Sequence, residues 1–368
     1  MLRLYVCGIT PYDSGHMGHA FTFSAFDILV RFVEASGTRV RYVQNVTDVD
    51  DPLFERARRD HLGWKQLAER EQQSFVADMD VLGWRRPDLM PRVSEEIPGI
   101  LDAVRRLYGA GHAYRSDALY FEAARYPAFG ELSHRSRRSM VRKLRDEGLL
   151  GRVGPEAKRD ELDFPLWRPS GPDEPSWNSE FGPGRPGWHI ECSAMSMRYL
   201  GPQVDVHGGG RDLVFSHHEA ERAQSESMTG CVPFARAWMH TGLVRYQGRK
   251  MSKSLGNLVV VRQALERAPA AAVRLYLASH RYRRDWSFRW EPLEGTAGFC
   301  RRLRSLVGDG ARSPERPSGE HVDAFDAALA ADLDTTGALR ALRAAVRDRD
   351  AGAASWMLGI LAGDAALH

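Results

Sequence analysis

Lysine is almost missing from this chain: only five occur, at positions 65, 143, 158, 250 and 253, and the last two stand three residues apart. Arginine therefore supplies nearly all the positive charge. The net charge is only +3, with 51 basic residues against 48 acidic ones. No cationic tail or domain announces nucleic acid, and the balance neither requires nor excludes RNA. Cysteine is scarce too: Cys7, Cys192, Cys231 and Cys300 are too few and too scattered to staple 368 residues. Each is read as a thiol whose neighbours decide its role. No run approaches the about 18 uninterrupted apolar residues of a membrane span, and no charged stretch followed by an apolar one opens the chain. A cytoplasmic protein without a membrane partner is expected. Neither a Walker A sequence nor G-x-G-x-x-G occurs, nor does an internal repeat.

What is present alternates. Leu2 to Gly8 reads as a short strand, Gly18 to Glu34 carries apolar residues at helical spacing, and Val40 to Val46 reads as a second strand. Asp48-Val49-Asp50-Asp51 and amphipathic helices through about Leu107 follow. Strands alternating with helices predict an α/β chain with a parallel, Rossmann-like sheet. From about 111 to 186 glycine, proline and arginine become dense and periodicity fades, as in a connective region inserted between two halves of a sheet. The pattern resumes at 187 with Trp188 to Cys192, a strand Val204 to Val206 running into Gly208-Gly209-Gly210, a helix from about His217, and a strand near Trp238 to Val244. Alanine-rich helical segments then predict a C-terminal bundle. The expected divisions are 1–110 and 187–257 for the two halves of the catalytic domain, 111–186 for the insertion, and 258–368 for linker and bundle.

Two segments suggest phosphate chemistry. His16-Met17-Gly18-His19 opens the first helix, where two histidines three apart share a face and free backbone N–H groups favour an anion. Gly18 would let a nucleotide approach the backbone. Near the other end, Arg249 to Asn257 reads R-K-M-S-K-S-L-G-N. In so lysine-poor a chain, Lys250 and Lys253 look like a clamp for the β- and γ-phosphates of ATP during attack at the α-phosphorus. Alone, each motif is equally a pair of core histidines or a solvated loop. Cys7, Cys192 and the run His217-His218-Glu219-Ala220-Glu221 offer thiolate, imidazole and carboxylate, all acceptable zinc ligands, and such a site with room for one more ligand can hold a substrate sulfur. Cysteine would be the guest, preferred over serine by on the order of 10³ through one metal–sulfur bond. Buried free cysteines are also ordinary core residues.

H-x-G-H after the first strand with K-M-S-K-S after the last resembles the class I aminoacyl-tRNA synthetases. Cys7 to Thr10, Gly187 to Ser193, Gly208 to Gly210 and His217-His218-Glu219 look more specifically like the motifs shared by cysteinyl-tRNA synthetase and the cysteine ligase of mycothiol synthesis, over about residues 2 to 290. The resemblance implies zinc on Cys7, Cys192 and His217, with Glu221 as the fourth ligand of the tRNA-enzyme pattern. It implies magnesium ATP as cofactor and L-cysteine as substrate. Thr10, Thr47, Trp188 and Asp212 would surround the cysteine or its adenylate, and Asp212 could anchor the α-ammonium. His16, His19, Gly210 and Val244 would lie around the nucleotide with Thr22 nearby, and Lys250 and Lys253 on the phosphates. Gly8, Ile9, Asn45, Val46 and Arg211 complete the expected binding residues.

The second substrate is read from smaller signs. C-G-I-T-P-Y-D at Cys7 to Asp13, Q-N-V-T-D-V-D-D-P-L at Gln44 to Leu53, and Asp160 to Asp163 ahead of Leu166-Trp167-Arg168 resemble the mycothiol ligase, whose acceptor is the amine of glucosaminyl inositol. The 111 residues after Asn257 would be short for a bundle plus an anticodon reader. Other signs depart: Glu221, Asp205-Val206-His207 and Ser254-Leu255-Gly256 lean to the tRNA enzyme, Arg145 to Gly151 lacks the expected glycine-rich signature, and Arg211 and Ser216 match neither. A small amine acceptor is expected, with tRNA, another amine or a carrier protein as alternatives.

Overall fold

In the computed structural model, which describes residues 1–13, 15–150, 158–251, 256–308, 315–365 and 367, the run Leu2–Ile9 forms β1, with Leu4 to Cys7 all buried. Consecutive apolar residues are what a strand covered on both faces requires, the situation of a parallel sheet enclosed by helices. α1 (Met17–Ala35) follows, then β2 (Val40–Val46), which pairs parallel to β1 from Leu2↔Val40 to Ile9↔Val46. Gly8 lies at the closest contact of the two strands: a Cβ there would come within 1.7 Å of the Asn45 carbonyl oxygen. Next come α2 (Asp51–Arg59), α3 (Trp64–Val81) and α4 (Ile97–Gly109). Between α3 and α4, Leu89 and Arg92 bridge in parallel to Val43 and Val46 and extend the edge of β2.

The chain then leaves this sheet. β3 (Ala113–Arg115), β4 (Leu119–Phe121), α5 (Arg137–Asp146), β5 (Phe164–Arg168) and β6 (Arg185–Pro186) contribute a separate antiparallel sheet in the order β3-β4-β5-β6. Its arginines hold it against α2: Arg168 reaches Asp51 at 3.0 Å, and Arg185 joins Asp51 and also Glu174 at 2.8 Å. α6 (Trp188–Leu200) returns the chain to the parallel sheet through β7 (Val204–Gly210), α7 (Glu219–Thr229) and β8 (Ala235–Thr241).

The parallel order is β2-β1-β7-β8. β1 leads outward to β2 and β7 outward to β8, so the winding reverses between β1 and β7. In open α/β sheets the ligand crevice lies beyond the carboxyl ends of the strands at such a point. Cys7 to Thr10 and Gly208 to Asp212 meet there.

The strand expected near 238–244 starts three residues earlier and stops at Thr241. Gly242 ends it because its backbone lies against that of Arg284. β9 (Val244–Tyr246) turns away to pair with β10 (Arg249–Lys250) and β11 (Trp286–Ser287). The described part of the C-terminal region is helical: α8 (Val261–Leu265), α9 (Ala270–Ala278), α10 (Trp290–Val307), α11 (Glu320–Ala330), α12 (Thr335–Arg347) and α13 (Ala351–Ala362). α10 escapes the sequence reading because Pro292, Gly295 and Gly298 lower helix propensity, the glycines by about 1 kcal/mol each. Burial of Leu293, Phe299, Cys300 and Leu303 outweighs that cost. α9 and α13 pack on α1, joining bundle and sheet in one core. No helix among the described residues is long and apolar enough to cross a membrane.

Candidate active site

A cavity of about 890 Å³ opens at the switch point. Four buried side chains converge at its floor from separate elements, Cys7 from β1, Cys192 from α6 and His217 from the turn before α7 lining it and Glu221 from α7 just beneath, with one ligand-type atom of each within 4.8 Å of the others. Glu221 Oε2 is 3.4 Å from Cys7 Sγ and 3.5 Å from His217 Nε2. Its Oε1 is buried without a hydrogen bond. Burial pushes the Cys7 thiol well above its usual range, and Cys192 and Glu221 beside it push the same way. Burial also raises Glu221, but His207 and His217 outweigh it and leave the carboxyl below the ordinary value. His217 is lowered to about 3 by burial, so its ring is neutral at pH 7, the state that ligates metal. Two thiols, a carboxylate and a neutral imidazole crowded in a dry pocket form a donor set that fits a soft-to-borderline divalent cation.

Around this floor runs a histidine network that the sequence reading did not assign. His189 Nδ1 lies 3.0 Å from His217 Nδ1, so His217 turns Nε2 toward Glu221. His207 Nε2 stands 3.3 Å from Glu221 Oε2, and His218 Nδ1 is 2.7 Å from His240 Nε2. Cys7, His207, His218 and Glu221 make a second buried set within the same distance limit. The signal was available: His189, His207 and His218 all lie in motifs already singled out. Trp188 stacks on the His217 ring at 4.3 Å and lines the cavity.

The histidine pair works differently from expectation. His16 is the N-cap of α1, and its Nδ1 accepts from the backbone N–H of Gly18 at 3.0 Å and of His19 at 3.3 Å. Met17 N–H donates to the Val259 carbonyl at 2.9 Å. The first amides of the helix are thus already engaged, and with Nδ1 accepting, the ring's N–H falls on Nε2. Gly18 is required by His16 itself, because a Cβ would fall 2.8 Å from the folded-back ring. The two rings stack with centroids 3.8 Å apart. Burial lowers His19 to about 4 although Asp212 and Asp13 pull the other way, so it is neutral at pH 7. Thr22 ties α1 to the end of β8 through Thr241 at 2.7 Å.

Of the sequence-predicted residues, Cys7, Gly8, Ile9, Thr10, His16, His19, Thr22, Asn45, Thr47, Trp188, Cys192, Gly210, Asp212, His217 and Val244 line the cavity. Glu221 lies beneath the floor. Val46 is fully buried within β2, its side chain in the core. Arg211 turns away and pairs with Asp285. Lys250 belongs to β10 at the cavity's edge strand pair, and Lys253, Gly151 and the Ser254-Leu255 pair lie outside the described residues. Asn45 bridges backbone and side chain, accepting from Gly8 N–H and donating to Thr47 Oγ1, both at 2.9 Å. Missed by the sequence reading was a whole wall: Tyr12, Asp13, Asp50, Glu55, Arg56 and Arg59.

A parallel sheet split by an inserted antiparallel one, with its crevice between the histidine helix and the strand leading to the lysines, has the architecture of the class I synthetases. The fold matches Mycobacterium tuberculosis methionyl-tRNA synthetase bound by methionyl-adenylate at TM-score 0.67 and 15% identity, over 98% of this chain and 90% of that one. It matches the LeuRS of an Agrobacterium radiobacter LeuRS–tRNA–LeuAMS complex at TM-score 0.71 and 11% identity, over 99% and 84%. Residues 1–297 match the family described as tRNA synthetases class I (C) catalytic domain, and the chain belongs to that family. It is 49% identical over 346 residues to the L-cysteine:1D-myo-inositol 2-amino-2-deoxy-alpha-D-glucopyranoside ligase of Frankia alni, covering 93% of this chain and 82% of that protein. The like-named ligase of Kribbella flavida is 45% identical, covering 92% and 83%. Cysteine–tRNA ligase of Thioalkalivibrio sulfidiphilus is 42% identical over 383 residues, covering 99% and 82%. The chain is a ligase of the class I synthetase family.

Proposed function

We propose that this enzyme activates L-cysteine with magnesium ATP and passes the cysteinyl group to the amine of glucosaminyl inositol, the step made in mycothiol synthesis. The observation that carries the reading is the buried quartet Cys7, Cys192, His217 and Glu221 at the base of the cavity that the His16–His19 pair lines. The quartet would hold zinc, which when bound supplies a soft seat for the substrate thiolate that serine's hydroxyl cannot match. Trp188, Thr10 and Thr47 wall the amino acid, and Asp212 holds its ammonium. Val244 and Gly210 border the nucleotide. The cysteine carboxylate attacks the α-phosphorus and pyrophosphate leaves. His16 and His19 donate hydrogen bonds to the phosphates, and Lys250 and Lys253 offset the charge developing on the leaving group. The amine nitrogen then bonds to the acyl carbon, the acyl–oxygen bond to AMP breaks, and AMP departs as the amine's proton passes to solvent.

The acceptor follows the higher identity of the amino-sugar ligases. Glu221 within the quartet favours a second reading, transfer to the ribose of tRNA, because the four-donor pattern is the one the sequence associates with the tRNA enzyme. Both acceptors offered with ATP and cysteine decide the matter. One AMP per amide, without competition from tRNA, is expected. Cysteine esterified to tRNA would install the second reading, and an enzyme without cysteine-dependent pyrophosphate exchange would refute both.

A further inference from the structure

We propose that the cavity wall formed by α2 and the loop before α1 is the seat of the acceptor, and that it is built for a polyhydroxylated amine. This rests on the amine-ligase reading and assigns that reaction's second substrate to a place. The cavity has three chemically distinct parts. Leu243, Val244, Met251 and Leu258 make an apolar side suited to a purine, and the thiol, imidazole and carboxylate donors make the floor. The third part has neither character. Glu55, Arg56 and Arg59 line it from one face of α2, with Tyr12 and Asp13 opposite and Asp50 at the helix start.

Its charges are largely matched within the wall. Arg56 Nη1 is 2.7 Å from Asp13 Oδ1, and its Nε contacts Asp60. Arg59 Nε lies 3.2 Å from Asp60. A phosphodiester entering here would meet guanidinium groups already engaged and the carboxylates of Asp13, Asp50 and Glu55. A ligand rich in hydroxyls, each both donor and acceptor, can bond to carboxylates and guanidinium edges alike. An amine delivered to the same wall is drawn in by the carboxylates as an ammonium, which gives up one proton to solvent before its nitrogen attacks the adenylate. The wall also adjoins the activated amino acid, since Thr10 Oγ1 donates to Asp50 at 3.5 Å. It is rigid: Asp51, the first residue of α2, is held by Arg168 and Arg185 of the inserted sheet. Such preorganisation reduces the ordering cost of binding a flexible polyol.

The test separates the two half-reactions in the full-length enzyme. Cysteine-dependent pyrophosphate exchange and trapping of the adenylate by hydroxylamine as cysteinyl hydroxamate need no acceptor seat. Amide formation with glucosaminyl inositol does. Glu55→Gln and, at the centre of the wall, Arg56→Lys are expected to raise the KM for glucosaminyl inositol about 10-fold or more while exchange and hydroxamate rates stay within about twofold. The exposed position of Glu55 makes the first variant indifferent to folding. An unchanged acceptor KM in both variants overturns the assignment. So does loss of exchange in both, which would make the wall part of the activation site. If the unmutated enzyme forms hydroxamate but no amide with this sugar, the polyol assignment fails with activation intact; if it forms neither, the activation reading itself fails.

Discussion

Arg274 of α9 and Asp27 of α1 form an ion pair in which neither side chain reaches solvent. Arg274 also donates to the Leu361 carbonyl of α13 at 3.3 and 3.1 Å, while Asp27 accepts from Arg31 and from the Arg85 backbone at 2.7 Å. The bundle is thereby fixed to the helix that carries the histidine pair. Removing one partner of a buried pair leaves a desolvated charge, typically at a cost of 3–5 kcal/mol. Arg274→Met should destabilise the chain by about 3 kcal/mol, the lower end because Arg31 still faces Asp27 at 3.1 Å. A urea midpoint displaced by less than the equivalent of about 1 kcal/mol would show the pair to be dispensable.

The donor quartet predicts a linked loss. Cys192→Ser should bring bound zinc, measured by elemental analysis, from about one per chain to near none. The preference for cysteine over serine in pyrophosphate exchange should fall with it by on the order of 10²-fold or more. Zinc-free protein that still selects cysteine would separate selectivity from the metal.

His16 has two separable duties. His16→Ala should lower stability by about 1 kcal/mol through loss of the N-cap, whereas His16→Asn should restore most of it, asparagine being a strong N-cap. Neither variant has an Nε2 proton to offer, so both should exchange pyrophosphate about 10²-fold more slowly. An asparagine variant with near-normal exchange would reduce His16 to a cap.

His19 gives a pH signature. Its folded value of about 4, set first by burial, lies below the ordinary 6.5 of a histidine. Between those values the unfolded chain binds the extra proton and the folded one does not. Stability contributed by His19 is therefore intact above pH 6.5, declines as pH falls toward 4, and levels off below. The full loss should be on the order of 2 kcal/mol after discount for its partial exposure. His19→Gln should flatten the stability profile over that window. A profile identical to that of the unmutated protein would place its protonation elsewhere.

Much of the site was legible because its chemistry depends on residue type at strand ends. Cys7 and Cys192 stand out because the chain has only four cysteines, and His16, His19 and His217 because they fall in short recognisable motifs; the sheet that gathers them follows from the alternation of strands and helices. The α2 wall was hidden for the opposite reason. Glu55, Arg56 and Arg59 belong to a charged helix whose composition is that of any solvated surface, and only the tertiary position of α2 sets that face at the cavity mouth. Val46 was misplaced because a strand alternates its faces, so the residue between Asn45 and Thr47 points into the core. The sheet of the insertion was obscured by short strands of two to five residues, too brief for periodicity to register.

Asp51 is one residue in two structures at once: it begins α2, and it is the point on which Arg168 and Arg185 anchor the inserted sheet. The parts serving activation are carried by the ends of β1 and β7, the cap of α1, and α6 and α7, which bring Cys192 and Glu221. On the proposed acceptor seat, the insertion grips the helix that faces the acceptor at a single carboxylate. A substitution at Arg168 or Arg185, neither of which lines the cavity, would on that proposal be felt at the acceptor through Asp51.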